Sequence, residues 1–216
     1  MNKVNVLGLG ILAVALSSCQ VKVAPAEVGS VAPAVEASIE GIWSTDCIVN
    51  GNDSSINSFQ VENGTLTWAS SQYKNTNVCG QASLSHTFMK SGTLTITGGS
   101  STISGGKNYE LRLNVLAVVP NSADFTAMLN AGNVCGSNTW VSGQAGFVFG
   151  CVEPGAIDFS QVNPTTTQYG VFDIESAATP NYMQFESACA IAGYEGICPT
   201  ANDRPATLDG TVYFRR

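Results

Sequence analysis

Charged residues are scarce in this chain of 216 residues, where they make up 12% of the total. Nine lysines and arginines stand against 16 aspartates and glutamates, so the formal net charge is −7. No basic cluster occurs along the sequence, which argues against nucleic acid as a partner. The low content of lysine and glutamate argues against helical bundles and coiled coils, because these residues normally fill exposed helix faces.

Histidine and the common catalytic motifs are also missing or nearly so. His86 is the one histidine of the chain, whereas a zinc site usually takes three or four His, Cys or carboxylate ligands. None of the 22 serines lies in a Gly-x-Ser-x-Gly elbow. We therefore predict a protein that is not an enzyme and that uses no metal and no cofactor. We expect His86 to lie on the surface.

Residues typical of strands and turns dominate the composition instead. Serine, threonine and asparagine together number 57, with 22 glycines, and an apolar content of 44% argues against general disorder. From residue 39 to residue 216, short β-forming runs alternate with turn clusters. This pattern predicts an all-β domain of about eight to ten antiparallel strands, either a sandwich or a barrel.

Two short turns allow the register of neighbouring strands to be predicted. Asn63-Gly64 is the strongest turn signal, because a type I′ turn needs positive φ at both central residues. This turn sets Phe59 opposite Trp68 on one face of a hairpin. Ser91-Gly92 predicts a second hairpin of the same kind.

A long strand and a short helix are predicted in the middle of the chain. The strand runs from Tyr109 to Val119, with alternate residues from Tyr109 to Ala117 on one face, and we expect it to be the longest. Pro120 ends it, since proline cannot donate to the strand ladder. A helix follows, with Ser122 as its N-cap and Gly132 as its stop. A later strand is predicted over residues 144–152.

The start of the chain has the features of an export signal. Residues 1–18 combine a basic start, a short uncharged apolar stretch and small residues before Cys19, as a secretory signal peptide does. The segment Leu16-Ser17-Ser18-Cys19 resembles the lipobox of bacterial lipoproteins. This resemblance implies cleavage before Cys19 and anchoring of its acylated side chain and amino group in membrane lipid. Gln20 in the next position implies the outer membrane of the cell envelope. We interpret residues 19–38 as the lipidated cysteine and its tether.

The cysteine count agrees with this interpretation. Seven cysteines would leave one thiol unpaired in an exported protein, and lipidation of Cys19 leaves six. Disulfides are the default state of cysteines in an exported domain. Six cysteines allow fifteen pairings, so the sequence alone leaves the connectivity open. Short separations lead us to predict the pairs Cys135–Cys151 and Cys189–Cys198.

Three stretches together resemble a group of small bacterial lipocalin-like lipoproteins, largely of unknown function. The first stretch is Gly41-Ile42-Trp43, which Cys47 follows in the chain, and the second is Gln72-Tyr73, which Cys79 follows. The third is the ending from Arg204 to Tyr213. The resemblance implies an up-and-down, lipocalin-like β-barrel over residues 39–216, and it adds a Cys47–Cys79 disulfide. It also implies that Gly41 and Trp43 close the barrel base against an arginine of the last strand, for which Arg215 is the candidate. The β-sandwich remains the alternative fold.

The aromatic residues of the strands lead to the functional prediction. An eight-stranded barrel either fills with side chains or holds one small ligand. We predict that the barrel binds a small apolar or amphipathic molecule, and that a set of strand aromatics contacts it. These residues are Phe59, Trp68, Phe88, Tyr109 and Phe147. The alternative is a filled barrel that serves as a structural or interaction protein of the envelope, binding a partner or acting as an inhibitor.

Replacing the lipobox cysteine tests the predicted anchor. Cys19→Ala removes the thiol that would be acylated, so we expect no lipidation, and a precursor that stays uncleaved or is released in soluble form. Metabolic labelling with a fatty-acid analogue measures the outcome, with the unchanged chain as the positive control. Equal labelling of the variant and the unchanged chain would contradict the prediction.

Overall fold

A computed structural model describes residues 39–151, 162–164, 166–175, 182–186, 198 and 200–216. The predicted signal peptide, Cys19, the tether and Cys189 lie outside these ranges. In the part of the chain that is described, no helix is long and apolar enough to cross a membrane.

The described residues form ten β-strands and one α-helix. The strands are β1 (Gly41–Ser44), β2 (Ile48–Asn50), β3 (Asp53–Glu62), β4 (Thr65–Tyr73), β5 (Leu84–Gly99), β6 (Lys107–Pro120), β7 (Gly146–Phe147), β8 (Thr167–Ile174), β9 (Tyr182–Glu186) and β10 (Leu208–Arg215), and the helix is α1 (Ala123–Ala131). Single 3₁₀ turns occur at Gln81–Ser83, Val134–Gly136 and Ala201–Asp203.

Eight of these strands close into an antiparallel barrel. Their order around the barrel is β1, β3, β4, β5, β6, β8, β9 and β10, and β1 pairs with both β3 and β10. The short strands β2 and β7 add to the edges of β3 and β6. This topology confirms the predicted all-β barrel with one helix, rather than the alternative sandwich.

The hairpin at Asn63-Gly64 has the predicted turn and register. Asn63 has a φ of 50° and Gly64 a φ of 71°, as a type I′ turn requires. Phe59 lies directly opposite Trp68, so both side chains are on the same face of the sheet. A local turn preference was sufficient here because the two strands are adjacent in the chain.

The second predicted hairpin is wrong, because β5 continues straight through Ser91 and Gly92. Both residues pair with β4 on one side and β6 on the other, which makes β5 the longest strand, at 16 residues. Gly92 is needed for a close approach of two backbones and not for a turn. A Cβ at Gly92 would overlap the carbonyl oxygen of Arg112 on β6.

A β-bulge in β6 accompanies this close approach. Ser91 lies opposite Val115 whereas Gly92 lies opposite Leu113, so Asn114 has no partner on β5. The extra residue reverses the alternation of side chains beyond it. Leu116 and Val118 therefore lie on the inward face, as their pairing and burial show. The sequence pattern had predicted Val115 and Ala117 there instead.

The helix begins and ends as predicted. The Ser122 side-chain oxygen accepts a hydrogen bond of 3.2 Å from the backbone N–H of Phe125, and the helix stops before Gly132. Of the strand predicted over residues 144–152, residues 144–151 contain only the two residues of β7, and residue 152 lies outside the described residues. Turns bound it on both sides, since the Gln144 N–H donates to the Val141 carbonyl and the Cys151 N–H donates to the Val148 carbonyl.

Two predicted disulfides are confirmed. Cys47 bonds to Cys79, and Cys135 bonds to Cys151. Cys198 is buried and takes part in a disulfide. The Cys189–Cys198 pairing stays a prediction, because Cys189 lies outside the described residues.

A glycine-to-alanine pair distinguishes close strand approach from a turn at position 92. Gly92→Ala should destabilise the barrel by about 2–4 kcal/mol, because the added methyl group meets a backbone carbonyl that has little room to move. Gly99→Ala in the same strand meets nothing within 4 Å and should cost under about 0.5 kcal/mol. Denaturant unfolding with the disulfides intact measures both, and equal losses would contradict the close approach.

Candidate ligand site in the barrel

One end of the barrel interior is closed around Trp43. This ring is fully buried, its Nε1 donates a 3.0 Å hydrogen bond to the Ile39 carbonyl, and the Arg215 guanidinium lies 4.6 Å from the ring centre. Gly41 lies beside that guanidinium with a φ of 125°, which favours glycine, and a Cβ there would lie at an ordinary contact distance of 3.5 Å from Arg215 Nη1. Gly41, Trp43 and Arg215 therefore lie together, in the arrangement that the family resemblance implied.

An aromatic cluster fills the space above this base. Phe59 is its centre, with ring-centre distances of 4.8 Å to Phe185, 5.2 Å to Tyr213 and 6.0 Å to Trp43. Tyr109 joins the cluster through Phe185, at 6.1 Å. Phe59 and Tyr109 are both buried, with 2% and 3% of their surfaces exposed. Two of the predicted ligand contacts therefore belong to a packed core in this structure.

One part of the inner faces of β4 and β5 differs from that core, because three of its side chains are only half-buried. Trp68 lies opposite Lys90, and Ser70 lies opposite Phe88, so the four side chains form one block on the inward face. Trp68, Phe88 and Lys90 are only half-buried although they point into the barrel. The Trp68 and Phe88 rings meet edge to face at 6.0 Å. This part of the inward face is thus less completely buried than the cluster around Phe59.

Lys90 is held between an aromatic ring and an amide within this block. Its Nζ lies 5.0 Å from the centre of the Trp68 ring and donates a 3.0 Å hydrogen bond to Oε1 of Gln168 on β8. Gln168 is buried, with 1% of its surface exposed. The contact with the ring is a cation–π interaction, which orients the ammonium group without neutralising it.

Hydrogen-bonded polar side chains continue the inward face beyond the aromatic pair. Gln72 Nε2 donates to Ser70 Oγ at 2.8 Å, and Ser70 Oγ donates to Asn57 Oδ1 at 2.6 Å. These residues share the inward face with Trp68, as the β3–β4 register requires. This part of the inward face is therefore amphipathic, with aromatic rings beside amides, a hydroxyl and an ammonium.

His86 also belongs to the inward face, so the prediction of a surface histidine is wrong. It lies opposite Gln72, is half-buried, and stacks on Phe125 of α1 with a ring-centre distance of 4.0 Å. Burial lowers the pKa of His86 to about 4, with a smaller contribution from the positive charge of Lys74. The wrong hairpin at Ser91-Gly92 caused the error, because it placed His86 on the outer face.

Phe147 lies outside the barrel and does not share this space with Trp68 and Phe88. It pairs with the outward-facing Ala117 and is 69% exposed, and nearby Val141 is 48% exposed. Both residues line a surface groove of about 260 Å³ beside the Trp140 ring.

Hydrogen bonds and a disulfide fix the residues that surround this groove, and we call these residues the frame of the groove. Asn130 Nδ2 donates to the Trp140 carbonyl at 3.0 Å, and the Trp140 backbone N–H donates back to Asn130 Oδ1 at 2.7 Å. Trp140 Nε1 donates to the Val134 carbonyl, and the ring packs directly on Gly146. The Cys135–Cys151 disulfide ties the two ends of the frame together.

Sequence reasoning missed the polar members of the interior site, which are Asn57, Ser70, Lys90 and Gln168. The period-2 alternation from Phe88 to Lys90 would have found the lysine if β5 had been read as one strand. Among the described residues, no group of three or more His, Cys, Asp or Glu side chains is placed to hold a metal ion. No protein-family model matches the chain, and no curated protein matches it either.

The buried position of His86 predicts a pH dependence of stability. Its pKa is about 4 in the folded protein and about 6.5 when unfolded, so the unfolded chain binds the proton more tightly. Its contribution is fully present above pH 6.5 and is lost as the pH falls toward 4, by roughly 2–3 kcal/mol. We expect His86→Phe, which can still stack on Phe125, to lose less stability over this range.

Denaturant unfolding of both proteins at pH 7.5, 6 and 4.5 measures this difference. The carboxylates, which titrate in both proteins, cancel in the comparison. A stability difference that is the same at all three pH values would contradict a buried neutral imidazole.

Proposed function

We propose that this chain is an outer-membrane-anchored lipoprotein of the bacterial envelope whose β-barrel binds one small amphipathic ligand. The ligand occupies the half of the interior beside Trp68, Phe88 and Lys90. The role is one of binding and carries no catalytic step. The closed base and the aromatic cluster form the floor of the site.

One observation supports the binding role above the others. Trp68, Phe88 and Lys90 face the inside of a closed barrel and yet are only half-buried. A barrel filled only for stability would bury two aromatic rings completely, because each square ångström of exposed apolar surface forgoes about 25 cal/mol. Partly exposed aromatic walls with a few convergent polar groups are typical of small-molecule sites.

The membrane anchor is supported by the sequence. Leu16-Ser17-Ser18-Cys19 resembles a lipobox, and the remaining six cysteines match the even number that disulfides require. Several acyl chains together give stable anchoring, whereas a single chain gives only reversible binding. A tether then allows the barrel to stand near the membrane from which an amphipathic ligand would come.

A second candidate function, an interaction role in the envelope, is favoured by the exposed Phe147. This ring and Val141 are displayed by a frame in which Trp140 is fixed by hydrogen bonds and a disulfide. Pre-organised exposed aromatics are common anchors of protein interfaces. Under this alternative the barrel interior carries no ligand.

Analysis of the protein extracted from its own envelope tests the proposed function. We expect organic extraction and mass spectrometry to release about one molecule of a defined amphipathic compound per barrel, beyond the covalent acyl chains. Phe88→Ala removes an inward ring and should reduce this amount about tenfold, equivalent to about 1.4 kcal/mol of binding free energy.

Met89→Ala serves as the matched control, since Met89 is the next residue of β5 and faces outward. It should retain the compound. The absence of any stoichiometric compound, or equal retention by the two variants, would contradict the proposed site and leave the interaction role as the better explanation.

A further inference from the structure

Three large apolar side chains lie together on the outer wall of the barrel, at the seam where β1 pairs with β10. Phe214 on β10 lies opposite Tyr182 on β9 and opposite Ser44 on β1, and Ile42 is two residues before Ser44. All three point outward, because the residue beside each of them in its strand is buried. Ile42 is 50% exposed, Tyr182 45% and Phe214 38%. We call Ile42, Tyr182 and Phe214 the seam patch.

The seam patch differs in composition from the outer wall elsewhere in the barrel. On β4, for example, the outward positions between the ends of the strand are small or polar, namely Thr67, Ala69 and Ser71. Single exposed apolar side chains are ordinary on a protein surface, whereas several that adjoin one another mark a contact with a partner or a membrane. The seam patch is of the second kind, since Phe214 and Tyr182 are a directly opposed pair with Ile42 diagonal to Phe214.

The place where the chain enters the barrel indicates what this patch contacts. The described part of the domain begins at Ile39, three residues before Ile42. Under the proposed function, the lipid is attached at Cys19, 20 residues before Ile39, and 20 residues span at most about 70 Å. An anchored barrel meets the bilayer at a high local concentration, so a contact too weak to recruit a free protein is sufficient.

The charged side chains beside the patch indicate that such a contact is apolar and not electrostatic. Arg216 Nη2 lies 3.0 Å from Asp46 Oδ1, and the backbone N–H of Glu175 donates to the Tyr182 carbonyl. These three side chains carry one positive and two negative charges, so they offer no surplus of positive charge for anionic lipid. The ring of Tyr182 combines an apolar face with a polar hydroxyl, as is common at a membrane–water interface.

We infer that the seam patch rests on the lipid surface to which the chain is anchored. This inference rests on the anchor in the proposed function and adds a second contact to it. Ile42, Phe214 and Tyr182 enter the boundary between head groups and acyl chains, and the β1–β10 seam faces the bilayer. The acyl chains hold the protein at the membrane, and the patch sets the orientation of the barrel.

Photo-crosslinking from two phenylalanine positions tests this orientation. Phe214 is replaced by p-benzoylphenylalanine in one variant and Phe147 in another, and each full-length lipoprotein is irradiated in nanodiscs of phosphatidylethanolamine with a smaller share of phosphatidylglycerol. Phe147 is the matched control, because it is 69% exposed and lies on β7 beside β6, the strand opposite β1 in the ring of eight. Mass spectrometry measures covalent addition of phospholipid.

We expect at least about fivefold more phospholipid on position 214 than on position 147, although the control ring is the more exposed of the two. The yield at position 214 should persist at about 0.5 M sodium chloride, because an apolar contact is not screened by salt. Equal yields, or a higher yield at position 147, would overturn the inference. Loss of the yield in high salt would also overturn it, since charge would then hold the barrel to the membrane.

A second substitution tests whether the patch acts as a unit. Ile42→Ser in the position-214 variant should lower the phospholipid yield about threefold, because it removes one of the three apolar contacts. Val141→Ser replaces a similarly exposed side chain, at 48%, on the wall that carries Phe147, and it should leave the yield unchanged. Equal effects of the two substitutions would contradict a contact specific to the patch.

The failure of the anchor and the failure of the patch give different results. A protein without fatty-acid label that does not remain with the nanodiscs would overturn the proposed anchor, and the inference with it. A labelled protein that remains with the nanodiscs but takes up no phospholipid at position 214 would overturn the inference alone.

Discussion

The barrel depends on one short strand that hydrogen-bonds on both of its edges. β1 has four residues, Gly41–Ser44, and pairs with β3 near the start of the domain and with β10 at its end. Closure removes the free edges that an open sheet would expose. Trp43 adds side-chain packing to this backbone pairing, because its buried ring stacks on Phe59 and contacts the Arg215 guanidinium. Strand pairing and side-chain packing thus secure the same seam between the two ends of the chain.

The interior that this seam encloses has two unlike halves. Near the base, aromatic rings pack on one another around Phe59 and leave the walls buried. On β4 and β5, Trp68 and Lys90 are only half-buried, and polar side chains form hydrogen bonds with one another across the strands. Stability and binding therefore rest on different layers of the same inward face. A substitution in the upper layer is expected to affect a ligand more than the fold, which is what makes Phe88 a useful position for testing function.

Features that depend on neighbouring residues could be predicted from the sequence. Asn63-Gly64 adopts its turn because the backbone preference of two adjacent residues decides it, and the register of β3 and β4 follows. Ser122 and Gly132 bound the helix for a similarly local reason, through a cap hydrogen bond and a stop. The Cys135–Cys151 bond joins residues close in the chain. Alternating apolar residues with frequent turn signals were sufficient for the all-β class.

Features that depend on distant residues were decided by the tertiary structure. The sequence around Gly92 predicts a turn, but in the structure Gly92 allows a close approach of the β6 backbone. The bulge at Asn114 lies beside this close approach. Treating β5 as two strands hid the inward position of His86, since the register of the assumed hairpin placed its side chain on the outer face. Residues 39–216 by themselves determined strands, turns and a barrel-forming composition. Which side chains meet inside the barrel depends on barrel closure. The hydrogen bond from Lys90 to Gln168 is an example, because it joins positions that are 78 residues apart in the chain and meet only when β8 takes its place in the barrel.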